Sequence, residues 1–203
     1  MSAVEAVRRL VEAVEAALDA MDVEETGKAD AVERMRPAME AFLAEADGVL
    51  TEEQTSAVDG GAAGHLLYDD PDGRFHVMTV VFPPGTSSGV HEHGCWGIIG
   101  YLRGLDEEAR YRRVDGGTGA DGCVLEKVDE VVHRPGEVSR LLPPDEMFHR
   151  VRNPGTEDGV SVHVLCMSPG EHPHRFWDRD GKRLLPFPFR VLPGDVIRAE
   201  VMP

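Results

Sequence analysis

Val4, Val7, Leu10, Val11, Val14, Leu18 and Met21 recur every three or four positions, which is the spacing of one face of a helix, and they predict an amphipathic helix over residues 3–22. Glu5, Arg8, Arg9, Glu12 and Glu15 fill its wet face. A second stripe, Val32, Met35, Met39, Phe42 and Leu43, predicts a helix over about 30–47, with Asp30 and Glu33 spaced as a capping box at its start. Pro37 falls inside this stripe and should kink or split the helix, because proline lacks the backbone donor and crowds the preceding turn. Both helices are expected to pack through their stripes on the rest of the chain.

After "DGGAAG" (59–64) the period changes. "HLLYDD", "RFHVMTVVF", "VHEHGCWGIIGYLRG", "EARYRRV", "CVLEKVDEVV", "VSRLLPP", "MFHRVRN" and "SVHVLCM" are short strand-like runs, separated by the turn signals "DPDG", "PPGTSSG", "DGGTGADG", "RPGE" and "NPGTEDG". Many short strands with regular turns predict a mainly β sandwich or barrel. The pattern divides the chain into a helical segment, residues 1–58, a strand-rich body, 59–171, and an extension, 172–203. The extension is rich in Pro and Arg, carries one β-like run near "RVLPGDVIRAEV", and is expected to belong to the same domain.

Composition narrows the partners. A chain of 203 residues with 41% hydrophobic residues has room for a sizeable core. A net charge of −16 repels phosphate backbones and anionic lipid, so neither nucleic acid nor membrane is expected as a partner. No apolar run approaches the ~20 residues of a membrane helix, and the acidic amphipathic N-terminus does not read as a signal peptide. Cys95, Cys123 and Cys166 are odd in number and widely spaced, which argues against a disulfide scaffold or a thiolate zinc site and leaves a reducing cytoplasm as the expected location.

The candidate chemistry lies in "GVHEHGCWGIIGYLRG", Gly89 to Gly104. On a strand, residues i and i+2 share a face, so His91 and His93 would enter one side of a sheet. Neutral imidazoles converging in a dry barrel interior make a transition-metal site, whereas two histidines in a surface loop would be unrelated. "PPDEMFHRVRN" supplies a third, His149, on another strand-like run, with Asn153 four residues later. A His-x-His pair and a distant His can give three ligands on one face of a metal and leave other positions open.

These residues resemble the two motifs of the cupin superfamily, whose fold is a double-stranded β-helix barrel, or jelly roll. Gly89, His91, His93 and Gly104 match the first motif, and Pro144, His149 and Asn153 match the second. The glutamate of the first motif is missing, since Gly97 and Ile98 stand where it would fall, and Glu146 replaces the glycine of the second motif's turn. A three-histidine cupin of this pattern resembles the thiol dioxygenases, the cysteine and 3-mercaptopropionate dioxygenase family, over about residues 60–170. The resemblance implies a mononuclear iron(II) centre on His91, His93 and His149, and an enzyme that adds both atoms of dioxygen to the sulfur of a small thiol. It also implies that Ser161 and His163 of "SVHVLCMSP" form an outer hydrogen-bonded pair. The family's tyrosine at the end of that motif is replaced by Leu165, so no cysteine–tyrosine crosslink can form here.

Four residues are candidates for contact with substrate. Leu165 would leave an apolar wall. Trp96 would either line the cavity or fill the core. His65 lies 26 residues before His91, where the resemblance places a carboxylate-binding arginine, or else it is a histidine on a strand end. Arg175 could bind a carboxylate, although "HPHR" offers His172, His174 and Arg175 together. Cys95 could face the interior, and His76 and His133 read as ordinary strand or loop residues. With His65 for arginine and Leu165 for tyrosine, a carboxylate thiol of the 3-mercaptopropionate type is expected over cysteine. The alternatives are a three-histidine iron oxygenase acting on carbon, such as a diketone-cleaving enzyme, and a metal-dependent cupin that binds a ligand without turnover. Oligomeric state stays open.

Overall fold

The structure, a computed structural model, describes residues 2–21, 27–117, 119–142, 148–166, 174–187, 189–192 and 196–199. Two helices come first, α1 (Ala3–Asp19) and α2 (Gly27–Ala46). The strands that follow are β1 (Ala63–Asp69), β2 (His76–Phe82), β3 (His91–Glu92), β4 (Gly97–Arg103), β5 (Asp106–Arg113), β6 (Leu125–His133) and β7 (Val138–Leu141). They continue with β8 (Phe148–Arg152), β9 (Gly159–Leu165), β10 (Arg175–Asp178), β11 (Arg183–Pro186), β12 (Phe189–Leu192) and β13 (Val196–Ala199). One sheet has the order β12-β13-β1-β2-β9-β4-β7 and the other β11-β10-β3-β8-β5-β6. All their described pairings are antiparallel, as in a cupin barrel.

The helices bury the stripes that the sequence predicted except at Val4, which is 78% exposed, and α1 ends at Asp19, short of Met21. Leu10, Val11 and Val14 of α1, and Val32, Met35, Met39, Phe42 and Leu43 of α2, share one core with Val77, Val81, Ile98, Leu102, Val160, Val162 and Val164 of the larger sheet. The helix α2 starts at Gly27, three residues before the expected cap, so Asp30 sits within its first turn, where a carboxylate still favours the helix dipole. It also runs through Pro37 as one element. The lost hydrogen bond at Pro37 is outweighed by apolar burial on both sides of it, at Met35 and Met39.

The strand β9 shows how this packing positions a site. Its seven residues are all buried because both faces are covered. Val160, Val162 and Val164 alternate toward the helices, which leaves Ser161, His163 and Leu165 on the inner face. The same alternation governs β4. Ile98 and Leu102 join the helix-side core, and Ile99 and Tyr101 pack inside with Cys95, Leu141 and Leu165.

This packing also accounts for the missing glutamate. A Cβ at Gly97 would lie 2.1 Å from the Val164 carbonyl oxygen, so no side chain fits there, and Ile98 points away from the interior. Gly104 closes β4 with φ +69° against the Asp158 backbone, which only glycine tolerates at such close approach. The segment 172–203, which carries little periodic signal, supplies β10 to β13 and so contributes strands to both sheets. Pro144 and Glu146 lie outside the described residues. No described helix is long and apolar enough to cross a membrane.

A Gly97→Ala variant should force β4 from β9 and cost about 1–3 kcal/mol, a typical penalty for overpacking a filled core. Thermal or denaturant unfolding measures it, and an unchanged midpoint would contradict the close approach.

Candidate metal centre

Three imidazoles meet at the wall between the sheets. His91 on β3 pairs directly with His149 on β8, and His93 follows two residues after His91. The Nε2 atoms of His91 and His93 lie 3.1 Å apart, and those of His93 and His149 lie 2.9 Å apart. One candidate ligand atom from each residue falls within 4.8 Å of the others, and all three side chains are buried.

The opposite ring edges explain which nitrogens are free. His91 Nδ1 lies 3.2 Å from the Gly89 carbonyl, an oxygen that can only accept, so the proton is on Nδ1 and the lone pair on Nε2. His149 Nδ1 lies 2.8 Å from Glu108 Oε1. Burial would raise the Glu108 carboxyl, but hydrogen bonds from His133 and His149 and the nearby Arg110 outweigh it and hold the group well below the usual carboxylate range. Ionised Glu108 therefore accepts a hydrogen bond from His149 Nδ1–H, which leaves Nε2 as the ring nitrogen that faces His93. His93 Nδ1 contacts His174 Nε2 at 3.1 Å.

Burial, followed by the neighbouring imidazoles, pushes His91 and His93 well below the ordinary histidine value, so they are neutral, the form that ligates metal. The Nε2 atoms of the three rings converge on one another at hydrogen-bond distance. The donor set therefore fits a divalent transition metal held on three histidines.

Behind His149 the support continues. Glu108, buried on β5, accepts from His133 Nε2 at 3.0 Å and from Arg110 Nη2 at 3.0 Å. His133 stacks on Tyr101 with ring centroids 4.0 Å apart, and the Tyr101 hydroxyl bonds Ser139 Oγ at 2.9 Å. His133 thus helps to hold Glu108 against His149 rather than serving as an ordinary strand residue.

Beside the imidazoles lies a cavity of about 110 Å³, lined by both sheets. His163 and Leu165 line it, and Ser161 Oγ bonds His163 Nε2 at 3.0 Å. Burial above all pulls His163 down to about 3, so its ring is neutral. The other sequence candidates lie elsewhere. His65 sits opposite Thr79 on the outer face of β1, and its Nε2 donates to the Ser56 carbonyl at 2.8 Å. Thr79 likewise donates to the Gln54 carbonyl, whereas its flanking residues Met78 and Val80 line the cavity. Trp96 fills the core beneath the helices. Cys95 packs with Ile99 and Leu165 in the interior without lining the cavity.

Arg175 pairs with Glu92 across β10 and β3, and its Nε bonds Glu92 Oε1, on the face opposite His91. In the "HPHR" stretch it is His174 that reaches the cavity, His172 lying outside the described residues. Phe187 also lines it, with its ring centroid 5.2 Å from that of His91. Glu108, His174 and Phe187 are additions to the site that sequence reasoning did not assign. Only His174 had a signal, its place in a histidine-rich stretch.

The profile of the family described as cysteine dioxygenase type I matches residues 7–179. The chain belongs to that family. Membership agrees with the two helices, the barrel and the three-histidine cluster. Solved structures similar to this family member include an oxalate oxidase in complex with glycolate, at 21% identity and a TM-score of 0.44 over 58% of each chain. They also include the cupin domain of an XRE family transcriptional regulator from Enterobacter cloacae, at 16% identity and 0.37, covering 52% of this chain and 96% of that one. A Bacillus subtilis oxalate decarboxylase matches at 19% identity and 0.42, covering 57% of this chain and 28% of that one.

His91→Ala, His93→Ala and His149→Ala should each lose bound metal, and full metal content in any one of them would break the ligand set. Glu108→Gln should fold and weaken metal binding by about 10–100-fold, because the amide can turn its NH₂ toward His149 and no longer fixes the tautomer. Competition with a chromogenic chelator measures this, and unchanged affinity would exclude the role given to Glu108.

Proposed function

We propose that the chain is an iron(II)-dependent thiol dioxygenase that converts a small thiol and dioxygen to a sulfinic acid. The observation that carries this reading is a set of buried imidazole lone pairs converging beside a small cavity in a cysteine dioxygenase family member. The reaction balances without a further reductant: sulfur gives up four electrons, dioxygen takes them, and both oxygen atoms end on sulfur. When bound, the metal would supply a Lewis acid that favours the thiolate near neutral pH and gathers both reactants in one place.

The chain's own residues do the rest. Gly89 and Glu108 hold the His91 and His149 rings in the ligating tautomer. Met78, Val80, Phe82 and Leu165 line the space with apolar groups and exclude water. Ser161 and His163 form a neutral hydrogen-bonded pair at its edge and orient what binds there. The carboxylate thiol expected from the sequence had Arg175 as its candidate partner, with His65 standing where the resemblance places an arginine. Arg175 is engaged by Glu92 and His65 by Ser56, so that preference loses its support.

Purified protein should bind about one iron per chain, as a single three-ligand site requires. Iron-loaded protein should consume oxygen with small thiols and form sulfinates detectable by mass spectrometry, and leave diketones untouched. Oxygen uptake with diketones and none with thiols would replace this reading by carbon oxygenation. His163→Ala should keep its iron and slow turnover by about 10–100-fold, whereas complete metal loss would make His163 a ligand.

A further inference from the structure

The cavity wall is described by what it presents. Met78, Val80 and Phe82 come from β2, Val151 from β8, Leu165 from β9, and Phe187 follows β11. Every described side chain lining the space is apolar, an imidazole or a serine. About 110 Å³ suits a molecule of few heavy atoms. A carboxylate or ammonium pressed on such a wall gives up its hydration, which disfavours it far more than it does an alkyl chain or a hydrogen-bonded hydroxyl. The two groups that the sequence offered for a charged end both face other partners, Arg175 toward Glu92 and His65 toward Ser56.

Among the described residues that line the cavity, one buried side-chain nitrogen has no hydrogen-bond partner. His163 lines the cavity and gives its Nε2 to Ser161, and its Nδ1 is buried without a hydrogen-bond partner among the described residues. A buried imidazole nitrogen in that state calls for a ligand atom. Leu165, two residues along the same strand face, has no polar group to give it. A hydroxyl satisfies Nδ1 in either tautomer, since it both donates and accepts. A carboxylate only accepts, and it would keep its charge against the apolar wall.

We propose, resting on the thiol dioxygenase reading, that the site selects a small uncharged thiol of the mercaptoalkanol class. Its hydroxyl would meet His163 Nδ1 and its alkyl body would lie along Met78, Val80 and Leu165.

The test compares 3-mercaptopropan-1-ol with 3-mercaptopropionate, which has the same chain and a charged end, and with 1-propanethiol and L-cysteine. Iron-loaded protein gives kcat/KM by oxygen uptake. Cobalt(II)-loaded protein, titrated anaerobically and followed by thiolate-to-cobalt charge-transfer absorption, gives Kd without turnover. The mercaptoalkanol should exceed 3-mercaptopropionate by about ten-fold or more in both measures, a modest charge-burial penalty. In His163→Leu, the ratio of Kd for 1-propanethiol to that for the mercaptoalkanol should collapse toward one. If that variant does not fold, the wild-type panel decides alone. Equal or better use of 3-mercaptopropionate or cysteine overturns the inference and leaves the thiol dioxygenase reading standing. A charge-transfer band and oxygen uptake missing for every thiol would overturn both.

Discussion

Three buried imidazole nitrogens brought within 4.8 Å of one another are the constraint on which this site depends. Apolar burial alone does not orient such rings; the hydrogen bonds at their opposite edges do. Two anchors outside the convergence point make it stable in advance. The Gly89 carbonyl and the Glu108 carboxylate each accept a hydrogen bond from an Nδ1–H and thereby decide which ring edge faces the centre. Glu108 can act so only because it stays ionised while buried, and it does so through His133, His149 and Arg110. The cost of burying that charge is met by three donors, and the charge fixes the His149 ring rather than adding to stability.

The barrel serves this centre by covering both faces of its inner strands. Helix stripes pack on the outer face of the larger sheet, so alternate residues of β4 and β9 are free to build an interior. The price is crowding, most visible at Gly97, where the close approach of β9 leaves no space for a side chain. A carboxylate ligand at that position is therefore sterically excluded, and the neutral three-histidine set follows from strand packing as much as from ligand choice.

Charge is kept away from the cavity by pairing it elsewhere. Arg175 and Glu92 meet behind the ligand strand, Arg150 and Arg152 share Glu107, and Arg74 holds Asp70. Among the described residues, what remains beside the imidazoles is hydrocarbon, Ser88 and the Ser161–His163 pair. Such a space strengthens each hydrogen bond inside it and resists entry of ions.

The sequence by itself determined the helices and the strand-rich body, written as local periods of three to four for the stripes and two for the strands, and the same period of two put His91 with His93 on one face. The grouping of His149 with them and the pairing of Ser161 with His163 came from resemblance to a known family. Local spacing reports which face a residue shares, and that was sufficient for the stripes and for His91 with His93. It could not report what lies across a sheet. His65 and Arg175 were read by distance along the chain, and only register decided them, His65 opposite Thr79 on the outer face and Arg175 opposite Glu92 behind the site. Trp96 was open between cavity and core until the helices were placed over it. Glu108 had no signal, since β5 reads "DEEARYRR", polar at both alternating positions, and only the pairing of β5 with β8 turns one acid toward His149. Tertiary structure decided the partners because hydrogen bonds and ion pairs between strands depend on register, which a one-residue shift would reverse.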